Sequence, residues 1–139
     1  MVLGNLALIA GVAPRALLNW MRRMFVDAAD WVMEPNVIGM ALYADGGAMT
    51  TKPYAGGGAY LKRMSQHCTR CPFDPAKRSG DDACPFTTLY WDFLHRHDAM
   101  FRKNPRMSKQ LGGYDRLTDR DPIPERAREV RTRLAAGEL

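Results

Sequence analysis

Cysteine is scarce in this chain: three occur in 139 residues, at positions 68, 71 and 84. That is too few, and odd in number, for a disulfide framework. It fits a reducing compartment, where clustered thiols serve as metal ligands more often than as crosslinks. Long apolar runs are missing as well, so no transmembrane helix is expected. The opening MVLGNLALIA has the apolarity of a signal-peptide core but lacks a basic leader, and GVAPR follows where a small-residue cleavage site belongs. The stretch therefore reads as a buried helix and the protein as cytoplasmic. No persistent polar–apolar alternation appears, which argues against strands. There is no internal repeat, and no glycine pair is followed by the Gly-Lys-Ser/Thr that a phosphate loop requires. A composition with 46% hydrophobic and 25% charged residues excludes wholesale disorder and suits a single domain.

What is present has the period of helices. Pro14 suits a first helical turn, and Leu17, Met21, Met24, Phe25, Ala28 and Trp31 recur at spacings of three and four. This predicts a helix over about 14–31, after a shorter one over about 2–10. Residues 32–59 break the pattern with Pro35, Gly39, Gly46-Gly47, Pro53 and Gly56-Gly57-Gly58, which predicts irregular backbone of the kind that carries sites. Further helices are expected over about 57–66, from Pro85 onward with Leu89, Phe93, Leu94, His97, Met100 and Phe101 in one period, over about 106–111 with Gly112 and Gly113 as terminators, and over about 123–136 with Asp121 as its cap. The fold class is all-α. The three tryptophans, Trp20, Trp31 and Trp91, read most simply as core residues, His97 as packed within its bundle and His95 as facing solvent.

Basic residues exceed acidic ones by 20 to 15, and the excess recurs between Lys103 and Arg133. Such a surface suits nucleic-acid phosphates, although acids are interleaved and a plain solvated helix face carries the same pattern.

The most chemical feature is Cys68-Thr-Arg-Cys71, twelve residues, then Cys84. Two cysteines separated by two residues aim both sulfurs at one centre, and Cys84 returns from a turn-rich loop to supply a third. Cys71 and Cys84 each precede a proline, as ligand cysteines of iron–sulfur sites can. Two completions stay open: a histidine (His67, His95 or His97) closing a zinc site, or a fourth cysteine elsewhere closing a cluster.

Taken together, DWVMEPNVIGMALYADGGAMTTKPYAGGGAYLKRM, the cysteine spacing, and ACPFTTLYWDFL closely resemble the iron–sulfur bacterial cryptochromes and photolyases, the prokaryotic (6-4) photolyase-like proteins. The resemblance runs from about Met1 to at least Arg106. It implies that residues 1–139 are the C-terminal part of a helical domain that holds FAD and a [4Fe-4S] cluster, with 112–139 as a basic helical tail. An N-terminal antenna domain, with a possible antenna chromophore, and the first cluster cysteine would lie upstream. Cys68, Cys71 and Cys84 match the last three cluster ligands. Asn36 in EPN resembles the asparagine facing the flavin N5, Asp30 an acidic residue of the flavin pocket, and Met40 falls where classical photolyases place the tryptophan nearest the flavin. Trp20 resembles this subfamily's proximal electron donor, although Met21 follows it where relatives often have an aromatic residue. Tyr54 and Tyr60 resemble aromatics on the lesion side, with Lys52 as a phosphate or lesion contact. The implied function is light-driven repair of UV-damaged DNA, specifically the (6-4) photoproduct, by a full-length protein that is monomeric and nucleoid-associated. The alternatives are a photosensory cryptochrome and a small zinc-dependent nucleic-acid-binding module. The chain alone is expected to be a piece of the enzyme and inactive.

Overall fold

The computed structural model describes residues 2–139, so Met1, where the resemblance begins, lies outside the described residues. Helices dominate, and no strand occurs among the described residues. The chain divides into two compact units, one through Ala55 and one from Gly56 to Leu139.

The first unit comprises α1 (Val2–Ala10), α2 (Pro14–Met24), α3 (Asp30–Glu34) and a π-helical segment, Pro35–Ala41. Ala7, Leu8 and Ile9 of α1 and Leu17 and Leu18 of α2 are buried, as are Val37 and Leu42. α1 stops because Gly11 takes a left-handed φ of 83°. The amides of Gly11 and Val12 then fold back onto Leu8 O and Ala7 O at 3.2 and 2.9 Å, a Schellman ending that satisfies the last carbonyls. α2 starts with proline at its first position, where the missing N–H has no helical partner to lose.

The helix expected over 14–31 is two helices. Phe25 turns extended, with φ −116° and ψ 125°, and helix resumes only at Asp30. The apolar period does continue through this gap, but its residues gain no burial: Phe25, Val26 and Trp31 are all exposed. Helical stability comes mainly from packing an apolar face, and among the described residues nothing covers Phe25, Val26 or Trp31. An ion pair from Arg22 Nε to Asp30 Oδ1 at 2.6 Å links α2 to α3 across the break. Pro35, which has no N–H to donate, opens the π-helical segment, whose wider turn shows in the bond from Leu42 N to Val37 O at 3.0 Å.

In the second unit α5 (Pro85–Arg96) is the spine. It packs along α8 (Ile123–Ala136). Leu89, Phe93 and Leu94 from α5 join Ile123, Ala127 and Val130 from α8, with Phe101, Met107, Leu111 and Tyr114 completing the core. A buried carboxylate ties the two helices: Asp92, 2% exposed, accepts from Arg96 Nε at 2.8 Å and from Arg131 of α8 at 2.6 Å. α6 (Asp98–Phe101) follows a break at His97. α7 (Ser108–Asp115) runs through Gly112 and Gly113 rather than ending there, because Leu111 and Tyr114 on either side of them are both anchored in the core. α8 has the expected extent, but Asp121 does not cap it; Pro122 holds the cap position with no side-chain bond. At its other end Gly137, with φ 73°, repeats the Schellman ending: Glu138 N reaches Arg133 O at 2.9 Å.

Candidate functional site

The residues matched to the flavin side all belong to the first unit, and all are exposed. Trp20 is 41% exposed and stands edge-on to Phe25, with ring centroids 6.3 Å apart. It is therefore not the core residue that composition suggests, and neither is Trp31, at 83% exposure; Trp91, in the second unit, is half-buried. Asp30 opens α3 and pairs with Arg22. Asn36 and Met40 fall within one turn of the π-helical segment, both exposed. Such local widening of a helix is frequent at functional sites. The Asn36 side-chain amide donates to Val32 O at 2.7 Å, supplying a donor to a carbonyl in the turn that Pro35 interrupts and leaving its own Oδ1 to accept.

A tight loop buttresses this segment. Tyr43 adopts a left-handed φ of 53°, and the Asp45 carboxylate accepts from the amides of Gly47 at 3.0 Å and Met49 at 2.8 Å. Those two backbone donors hold the Asp45 carboxyl below the usual carboxylate range. Gly39 admits the loop: a Cβ there would lie 2.9 Å from Asp45 Oδ2.

The cysteines belong to the second unit. α4 (Gly58–Met64) leads into a 3-10 turn, His67–Thr69, that carries Cys68. Cys68 is half-buried, Cys71 exposed and Cys84 buried, and all three are free thiols. The loop between Cys71 and Cys84 is folded back on itself. Asp74 N donates to Asp82 O at 2.7 Å, Cys84 N donates to Asp74 O at 3.1 Å, and Lys77 pairs with Asp82. Cys84 caps α5. Its Sγ lies where no side chain fits opposite: a Cβ on Gly58 would come within 2.8 Å of it and within 2.6 Å of Thr87 Oγ1. Thr87 locks the junction, accepting from Gly58 N at 3.1 Å and donating to Pro75 O at 2.9 Å. Thr88 Oγ1 adds a bond to Arg78 O at 2.8 Å. Loop, α4 and α5 are thus hydrogen-bonded around the Cys84 sulfur. Among the described residues no group of three or more His, Cys, Asp or Glu side chains is arranged to hold a metal ion, so neither the three thiols nor a thiol–histidine set is brought together.

Lys52 is half-buried and Tyr54 exposed in the first unit, whereas Tyr60 falls in the second, where its ring lies against Gly56 and under Arg63 at 6.0 Å. The basic C-terminal stretch is less free than its composition suggests. Arg126 is buried and pairs with Glu129 at 2.6 Å, Arg131 is held by Asp92, and Arg120 covers the Tyr114 ring at 5.5 Å. Lys103, Lys109, Arg116 and Arg128 are exposed and make no ion pair among the described residues.

Sequence reasoning overlooked Thr87, Thr88 and Asp92, and named Gly58 only as one of its triplet. The glycine triplet and the Cys-Pro-Phe-Thr-Thr run carried that signal, since two adjacent hydroxyls in a helix's first turn are well placed to bond a neighbouring loop. His97 packs between Phe93 and Phe101, at centroid distances of 5.0 and 5.6 Å. His95 is exposed as expected, but it is also bonded to Tyr114.

No protein-family model matches the chain. Over 119 residues, 86% of this chain, it is 46% identical to a (6-4) photolyase of Agrobacterium fabrum, of which it spans 24%. Over 134 residues, 96% of this chain, it is 30% identical to an uncharacterized protein of Acanthamoeba polyphaga mimivirus, whose full length is matched. The chain therefore belongs to the family of that mimivirus protein and is homologous to a segment, about a quarter, of a (6-4) photolyase.

Proposed function

We propose that this chain supplies the flavin-side and cluster-side portion of an iron–sulfur photolyase that repairs (6-4) photoproducts in DNA by photoinduced electron transfer. The observation that carries the reading is the 46% identity to a (6-4) photolyase across most of the chain. In the first unit Asp30, Asn36 and Met40 would hold FAD, and the exposed indole of Trp20 would serve as its electron donor. Bound FAD would supply the light-driven one-electron chemistry. Asn36 is suited to its part: its amide is anchored on Val32 O and its carbonyl oxygen is free to accept. Lys52 would supply a cation and Tyr54 a ring face for a lesion base turned out of the duplex; Tyr60, also matched to the lesion side, belongs to the second unit. Flipping costs least where pairing is already damaged.

Cys68, Cys71 and Cys84 are three thiolate ligands of a [4Fe-4S] cluster in this reading. The chemistry of the donors fits, since cubane clusters are held by cysteine; binding would have to draw together three thiols that lie apart among the described residues. The cluster's role is structural, closing the loop 72–83 against α5. The stretch 112–139 adds DNA affinity through its unpaired basic residues, Arg116 and Arg128. Alone, the 139-residue chain does not repair DNA.

The test is lesion removal under blue light by the protein purified from its native host, followed by chromatography of an oligonucleotide carrying one (6-4) product. The reading expects light-dependent repair that is lost in Trp20→Phe. Flavin photoreduction with the lesion left intact would assign the family's signalling role instead. Stoichiometric FAD and repair by the isolated 139-residue chain would refute the claim that it is only a portion.

A further inference from the structure

The second unit holds an aromatic group that the proposed function does not use. The Tyr114 phenol is buried, 7% exposed, and lies 2.8 Å from Nδ1 of His95. Its ring stacks on Trp91, with centroids 6.4 Å apart and planes 27° apart, and Trp91 meets Tyr90 edge-on at 5.2 Å. Two guanidinium groups cover these rings, Arg78 over Trp91 at 5.9 Å and Arg120 over Tyr114 at 5.5 Å. His95 itself is exposed.

We propose that Tyr114 is a redox-active tyrosine with His95 as its built-in proton acceptor, trapping the electron hole when an outer-sphere one-electron oxidant attacks this face through Trp91. The balance is simple. One electron passes from Tyr114 through Trp91 to the oxidant, which is reduced by one. The phenolic O–H bond breaks and an N–H bond forms at Nδ1 of His95, leaving a neutral tyrosyl radical beside an imidazolium. An added one-electron reductant such as ascorbate reverses both transfers.

Each part of the geometry favours that end state. In the tautomer protonated at Nε2, His95 Nδ1 is the acceptor of the phenolic proton. A radical cation left on Trp91 would face the positive charge of Arg78, whereas the neutral radical on Tyr114 carries no charge to repel. Burial, first of all, keeps the phenol protonated at rest, with the Arg120 cation opposing and the carboxylates of Asp98, Asp115 and Asp92 adding to it. The proton therefore leaves only as the electron does. The exposed imidazole hands it on to water.

The test is flash photolysis of the full 139-residue chain with a ruthenium(II) polypyridyl sensitiser and a sacrificial cobalt(III) quencher, read by optical transients and by electron paramagnetic resonance of freeze-trapped samples. The expected result is a neutral tyrosyl radical whose spectrum responds to ring-deuterated tyrosine and whose formation slows in deuterated water. Tyr114→Phe loses the signal. His95→Gln, an exposed position chosen so that folding is kept, forms it about tenfold more slowly, equivalent to about 1.4 kcal/mol of barrier. A buried tyrosine that merely satisfies its hydroxyl would show neither effect. Equal radical yield in Tyr114→Phe, an unchanged rate in His95→Gln, a radical confined to tryptophan, or no radical at all would each overturn the proposal.

Discussion

Gly58 shows how closely single residues determine this structure. It opens α4, yet its position is fixed from outside the helix, by Thr87 Oγ1 on its amide and by the Cys84 sulfur beside its Cα. Both neighbours are held by backbone, since Cys84 caps α5 and Thr87 is bonded to Pro75 O, so neither can swing away from an added methyl group. Gly58→Ala is expected to destabilise the protein by about 1–3 kcal/mol through overpacking. Denaturant unfolding reads this directly, and an unchanged midpoint would show that the junction yields. The sequence exposes the type of residue needed here, a glycine in a triplet, but not which of the three is squeezed. Steric demand comes from Cys84 and Thr87, far along the chain, and no local pattern encodes it.

Among elements, the division between what could and could not be read from sequence follows burial. α1 and α8 appear where the period places them because each sets an apolar stripe into a core, and a glycine able to take positive φ fixes the end of each; the helix opened by Pro85 starts as expected, but its stripe through His97, Met100 and Phe101 breaks at His97 into α5 and α6. The stripe of residues 14–31 has the same period but splits at Phe25, because periodicity reports a face and not whether anything covers it. Likewise Gly112 and Gly113 fail to stop α7, since burial of Leu111 and Tyr114 outweighs the roughly 1 kcal/mol that each glycine costs a helix. The candidate site followed a similar rule. The spacing of the cysteines and the break of the helical pattern after Trp31 were legible, while the hydrogen bonds from Thr87 and Thr88 that fold the loop were not. At the α5–α6 junction a histidine couples packing to pH. His97 lies between Phe93 and Phe101, and burial, aided by the Arg96 cation and opposed by Asp92, lowers its affinity for a proton below the ordinary value of 6.5. The unfolded chain then binds the proton more readily, so stability falls as pH drops through the unfolded value and is regained above it. Thermal unfolding between about pH 7 and about pH 5 should show this slope in the wild type and a reduced one in His97→Phe. The carboxylates of Asp45, Asp82 and Asp115, whose folded values lie below 3.8, act in a separate, more acidic window. Equal slopes in wild type and variant would remove His97 from this role.

For the whole molecule the two units divide the chemistry. The first presents Trp20, Asp30, Asn36 and Met40 on exposed surface beside a widened helix. The second folds the cysteine loop against α5 and consumes much of its basic charge in internal pairs. Trp20 stands against Phe25, and both are exposed, as are Val26 and Trp31; the chain spans about a quarter of the photolyase it resembles. The decisive measurement is the iron and acid-labile sulfide content, with the Mössbauer spectrum, of the protein purified anaerobically from its native host and of its Cys84→Ala variant. The account predicts one [4Fe-4S] cluster per protein and its loss in the variant. Iron-free wild-type protein, or a Cys84→Ala variant with undiminished iron, would contradict it.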